Sequence, residues 1–213
     1  MGTDSLYVIT ISRQIGSGGS DIGQHLSRNL GIFYADRDII SAAAKKFSVF
    51  EKDLESLEEK TLFWKTFMQT CLTSSDKHQS SQVISPTDTE LFKTESEIIK
   101  HIAEERSAVI IGRCGSYIFR KHPYHISLFV HADIAFRKER IQNSYNLSEE
   151  SALKMIAQSD RERSHYNHKN TGEDWADAKR YNLSIDTSKI GLDKSVELIM
   201  KYLEYRFSKF KIQ

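Results

Sequence analysis

The sequence predicts an α/β fold in which a five-stranded parallel sheet is covered by helices on both faces. Three observations carry this: short apolar runs at 6–11, 32–35, 108–111, 126–130 and 183–185, segments of helical apolar spacing between them, and a glycine-rich turn, Gly16-Ser17-Gly18-Gly19, just after the first run. Runs that are continuously apolar, not alternating, belong to strands buried on both faces, the hallmark of parallel sheets.

The first unit is a strand, the glycine turn and then a helix to about residue 30. That order makes an anion site, because first-turn amides have no partner inside the helix and the helix dipole is positive there. Phosphate is the expected guest. Ser20 stands at the helix start, where its hydroxyl either caps the helix or turns toward a magnesium ion carried by the phosphates. Laying the pattern GxxxxGK[ST] on this stretch puts Arg13 on the first glycine, Gly18 on the second, Gly19 on the lysine and Ser20 on the hydroxyl position. The lysine that brings charge to the β and γ phosphates is absent. Arg13, close by in sequence, is the candidate replacement. The competing reading is an ordinary flexible turn.

Gly31 reads as a helix stop before the second strand. Asp36-Arg37-Asp38 follows at the strand's end, where open α/β sheets bind ligands; the two aspartates read either as part of that site or as caps of a helix beginning near Ile39. Residues 39–71 carry Leu54, Leu57, Leu62, Phe63, Phe67 and Met68 mostly three and four apart, an amphipathic hairpin with a break near Phe47-Ser48. The serine-rich 73–87 stretch reads as a connector, and a helix runs on from residue 87 or 88 to Arg106. The third strand, 108–111, is followed at once by Gly112-Arg113-Cys114-Gly115. The fourth leads through His131-Ala132-Asp133 into a helix with Arg137, Lys138 and Arg140, and the fifth ends in Asp186-Thr187-Ser188 before a last helix over 192–205. Two segments interrupt the alternation, 39–86 and 148–180, the second carrying Asp160-Arg161-Glu162-Arg163. Insertions at the ligand edge commonly act as lids or clamps.

A chain of 213 residues suits one α/β domain. Lysine and arginine total 30 against 29 acidic residues, so charge gives no argument for nucleic acid or a membrane surface. The basic strip Arg161, Arg163, His165, His168 and Lys169 is broken by Asp160, Glu162, Glu173 and Asp174. His165 and His168 are i,i+3 but lack a third ligand, so no metal site is expected. Cys71 and Cys114 form no paired motif, and no apolar run approaches the roughly 20 residues of a spanning helix. A soluble, cytoplasmic protein is expected.

ITISRQIGSGG with SDIG behind it, YADRDII, VIIGRCG, DRERSHY and YNLSIDTSKIG, in this order and spacing, resemble the cytidylate-kinase-like family, a branch of the nucleoside monophosphate kinases, over nearly the whole chain. The resemblance implies a P-loop NTPase-like three-layer fold, one domain over 1–213, with 39–86 as the monophosphate-binding insertion and 148–180 as the lid. It also implies phosphoryl transfer from ATP, with Mg2+, to a nucleoside monophosphate, CMP or dCMP first. Carried over by position, Ser17, Gly18, Gly19 and Ser20 match the donor loop, Asp36, Arg37 and Arg113 the acceptor site, Arg137 and Arg140 basic positions after the fourth strand, and Arg161 and Arg163 the lid. Arg13, Arg137, Arg161 and Arg163 are the catalytic candidates, and Asp186 falls in a tail motif where a structural or base-proximal role is expected. Glycine at position 19 resembles the branch without the lysine. Two other readings stay open: a nucleotide-binding regulatory or scaffold protein without appreciable turnover, and a kinase for another small acceptor. Neither base specificity nor oligomeric state is encoded in these motifs, and residues 39–72 remain without an assigned partner.

Overall fold

The structure is a computed structural model that describes residues 6–36, 39–40 and 88–207. The predicted 39–71 hairpin beyond Ile40, the 73–87 connector, Arg37 and Asp38 lie outside the described residues. In chain order the elements are β1 (Val8–Arg13), α1 (Gly19–Leu30), β2 (Phe33–Ala35), α2 (Asp88–Glu105), β3 (Ala108–Ile111), α3 (Gly115–Ile118), β4 (His125–His131), α4 (Ile134–Tyr145), α5 (Glu149–Thr171), a 3₁₀ turn (Ala178–Arg180), β5 (Leu183–Asp186) and α6 (Thr187–Arg206). The strands form one sheet in the order β2-β3-β1-β4-β5, and every pairing is parallel.

Alternation along the strands assigns the two faces. Val8, Ala108 and Ile110 meet Ile98, Ile99 and Ile102 of α2 and Phe119 after α3. Their neighbours Ile9, Ile11, Val109 and Ile111, with Ile126, Leu128 and Val130, meet Ile22 and Leu26 of α1 and Val196, Ile199 and Leu203 of α6. Period-two side chains of β1, β2 and β3 feed both layers. Every residue of β3 is buried, which is why its sequence shows no polar position.

Helix α1 lies close on the sheet, since a Cβ on Gly23 would stand 2.5 Å from Ile111 Cδ1. It ends at Gly31 with φ 62°, whose amide, like that of Ile32, bonds back to the last turn. Helix α6 contains one non-helical residue, Gly191. The regular helix therefore starts at Leu192, as its apolar spacing predicts, and Thr187–Ile190 form a separate turn. β4 extends the predicted 126–130 by one residue at each end.

Parallel order brings all five C-terminal strand ends to one edge. β1, β3 and β4 are adjacent there, so the glycine turn after β1 sits beside Gly112-Arg113-Cys114 after β3 and His131 at the end of β4. No helix of the described residues is long and apolar enough to cross a membrane.

Candidate functional site

The glycine turn is built by its carbonyls. The Arg13 carbonyl accepts from Arg163 Nη1 at 2.6 Å, that of Ile15 from Arg137 Nε at 2.8 Å, and that of Ser17 from Thr187 Oγ1 at 2.8 Å. Gly16 and Gly18 have φ of 77° and 80°, in the left-handed region that favours glycine. Gly18 is the N-cap of α1, and no side chain caps that first turn. A phosphate fits such a turn, because the helix dipole is positive there and the first-turn amides need an acceptor.

The Ser17 hydroxyl points inward and donates to the carbonyls of Gln14 and Val130 at 2.8 and 3.1 Å, so its side chain holds the loop's shape. Ser20 is half-buried in the first turn of α1, near the Tyr34 phenol. Burial, then the nearby Asp36 charge, raises the Tyr34 pKa.

Gly19 and Arg13 explain each other. A Cβ on Gly19 would lie 2.6 Å from Arg13 Cβ and 3.0 Å from its Cγ, while a Cβ on Gly112 would lie 2.3 Å from Arg13 Nη1. The arginine runs past the start of α1 and ends over Gly112. Its guanidinium thus stands at the strand edge between the loop and the end of β3.

After β3 the backbone makes three consecutive left-handed residues: Gly112, Arg113 and Cys114, with φ of 77°, 53° and 54°. Left-handed geometry costs a non-glycine residue roughly 1–2 kcal/mol, and such strain tends to persist where a site fixes it. The turn aims Arg113 at Glu95, 2.7 Å away and only 1 % exposed. Tyr166 Oη donates to the other carboxylate oxygen at 3.0 Å, and Arg113 stacks over the Tyr166 ring. Burial and then the Glu95 charge raise the Tyr166 pKa. The Cys114 thiol is pushed up to about 12, chiefly by burial.

These groups enclose a cleft of about 190 Å³ lined by Arg13, Gly112, Arg113 and Cys114 from the strand ends, by Ser159, Glu162, Arg163, Tyr166 and Asn167 of α5, and by Trp175. Of the predicted site residues, Arg13, Arg113 and Arg163 therefore meet. Among the described residues, the other predicted arginines do not line this cleft. Arg137 is buried, bridging Ile15 and Asp160. Arg140 pairs with Asp21 of α1 at 2.6 Å, and Arg161 is exposed on α5.

Two aspartates act as caps. Asp36 Oδ1 accepts from the Ile39 amide at 3.0 Å, one of the two sequence readings, and Asp186 caps the turn opening α6 through the Ser188 amide. Glu95 escaped the sequence reading although its position was visible. It lies three and four residues before Ile98 and Ile99, so a carboxylate falls on the buried stripe of α2. Asn167 and Arg180 also escaped it. Arg180 holds Asn167 Oδ1 at 3.0 Å and Glu173 at 2.6 Å.

A family model described as the cytidylate kinase-like family matches residues 8–189. Among solved structures, an uncharacterized protein from Eubacterium ventriosum superposes with a TM-score of 0.71 at 22% identity, covering 93% of this chain and 98% of that one. Shikimate kinase from Acinetobacter baumannii, in complex with shikimate, gives 0.52 at 12% identity, with 97% of each chain covered. Shikimate kinase from Bacteroides thetaiotaomicron gives 0.50 at 12%, covering 93% of this chain and 98% of its own. These likenesses are of fold. A search of curated proteins finds no match.

Proposed function

The chain belongs to the cytidylate kinase-like family, and from that premise we propose that it transfers the γ-phosphoryl group of ATP to a nucleoside monophosphate, CMP or dCMP first. An oxygen of the acceptor phosphate forms the new bond to the γ-phosphorus, and the bond from that phosphorus to the β–γ bridging oxygen breaks. The products are ADP and a nucleoside diphosphate. No covalent intermediate on the protein is needed, because such transfer asks for alignment and for charge around the moving group.

The observation that carries this reading is the path of Arg13. It fills the space beside Gly19 and ends over Gly112, so in this reading its charge would serve where the loop lacks its lysine. The first-turn amides of α1 would hold the donor phosphates. Mg2+ carried by ATP would supply charge neutralisation there, and Ser20 would hold it directly or through water. Arg163 and Arg113 complete a ring of three guanidinium groups around the cleft. Arg113 is the residue we assign to the acceptor phosphate, as a fork held in place by Glu95. Residues 148–180 act as the lid and 39–86 as the acceptor-binding insertion of one kinase domain.

The test is ADP formation across a panel of ribo- and deoxyribonucleoside monophosphates, with ATP and GTP as donors. Turnover that depends on CMP or dCMP supports the proposal. Turnover with a different acceptor moves the specificity, and nucleotide binding without turnover to any acceptor favours a regulatory role.

A further inference from the structure

The carbonyls of Arg13 and Ile15, on either side of Gln14, are both held by guanidinium groups that answer to α5. Arg163, on α5, reaches the Arg13 carbonyl directly at 2.6 Å. Arg137, on α4 and 4 % exposed, reaches the Ile15 carbonyl with Nε at 2.8 Å and Asp160 Oδ2 of α5 with Nη2 at 2.7 Å. Asp160 and Arg163 are three residues apart and share one helix face. The contact around the loop is close, since a Cβ on Gly16 would lie 2.7 Å from the Arg137 carbonyl oxygen.

We propose that Asp160 is a positioning residue that, through Arg137, locks the shape of the 14–18 turn to the position of α5. This rests on the phosphate-loop reading above. Asp160 Oδ1 is buried and has no hydrogen-bond partner among the described residues, so packing alone does not account for a carboxylate there. Its paired oxygen meets the guanidinium that sets the Ile15 carbonyl. A cation on that carbonyl polarises the peptide whose N–H belongs to Gly16 and makes it a stronger donor. Displacing α5 breaks the Arg137–Asp160 ion pair and releases that carbonyl. Linkage is reciprocal: an anion that tightens the turn also holds α5, and with it Arg163, over the cleft.

Amide hydrogen exchange of the full chain without ligand tests this, followed by calorimetric titration with ATP and Mg2+. In Asp160→Asn, amides of the 15–20 loop and of α5 exchange faster together, by about 10-fold, and ATP binds about 10-fold more weakly. Exchange in β1, β3 and β4 stays at the parent level. Arg137→Lys, whose single ammonium cannot span both partners, reproduces the loop effect, and Asp160→Glu restores part of the protection. Loosening of α5 with an unchanged loop, or equal loosening of the sheet, overturns the proposal. A parent protein that binds no ATP sinks the kinase reading instead, because the ligand-free exchange still reports whether loop and helix move together.

Discussion

The Cβ that Gly19 lacks would stand 2.6 Å from the Cβ of Arg13, so the end of β1 and the start of α1 leave room for one side chain between them. A lysine in the loop and an arginine at the strand end are alternatives here. This chain carries the arginine.

Gly19→Lys is therefore expected to lower activity and not to raise it. Forcing atoms into a packed site costs about 1–3 kcal/mol, and the displaced Arg13 no longer stands over Gly112. Unfolding in urea and kcat with saturating ATP both read this. Combining Gly19→Lys with Arg13→Gly vacates the space, and recovery of stability together with some turnover is the expected result. A gain in kcat from Gly19→Lys alone rules out the exchange of roles.

Gly112→Ala separates guanidinium placement from folding. The new methyl group falls 2.3 Å from Arg13 Nη1, the movable end of a long side chain. The position has φ 77°, so alanine adds strain of about 1–2 kcal/mol. The variant is expected to fold with a lowered midpoint while kcat drops at least about tenfold, the scale of one misplaced charged contact in the transition state. Unchanged kcat places the Arg13 charge outside the reaction.

Arg113→Ala has two effects that can be pulled apart. It removes the proposed fork on the acceptor and takes the guanidinium from Glu95, 1 % exposed, which keeps the Tyr166 hydroxyl; breaking such a buried pair costs about 3–5 kcal/mol. The double variant Arg113→Met with Glu95→Leu is expected to regain most of the stability but none of the acceptor-dependent turnover. If turnover returns with stability, the pair is structural only.

What was legible follows from how local each signal is. β3 is where its apolar run predicts it, and the glycine turn announces itself through residues adjacent in sequence. Glu95 facing Arg113 and Arg137 facing Ile15 are different. They join elements up to 122 residues apart, and no periodicity reports a partner at that range. Arg161 and Arg163 look equivalent in Asp160-Arg161-Glu162-Arg163, but helix α5 turns about 100° per residue and aims only the second at the cleft.

Stability is expected to fall in mild acid because of His125, at the opposite edge of the sheet. Burial, then the neighbouring His122, lowers its pKa to about 4 against a small opposing pull from the Phe119 carbonyl, and Nε2 bonds Thr10 Oγ1 at 2.8 Å. The unfolded chain takes up a proton near pH 6.5, the folded chain only near 4. The stabilising contribution is thus whole above 6.5 and is lost as pH falls toward 4. Between pH 7.5 and 5 the unfolding free energy is expected to drop by about 1–2 kcal/mol from this residue. His125→Gln flattens that slope; an unchanged slope in the variant assigns the acid sensitivity elsewhere.

Arg163 and Arg161 make the sharpest comparison, because the same residue type sits one position either side of Glu162. Arg163 lines the cleft and bonds the Arg13 carbonyl, so Arg163→Ala removes a tie on the loop and the charge that the proposed transfer would use. Loss of one preorganised donor of this kind lowers kcat by about 10²–10³-fold. Arg161 is exposed and faces away, and Arg161→Ala is expected to leave kcat within about threefold, in line with surface substitutions distant from such features. Steady-state kinetics on the two variants side by side measures the difference. A reversed order, with Arg161→Ala the more damaging, means that α5 turns about its axis when substrates bind and that the arginine facing the cleft here is not the one used in transfer.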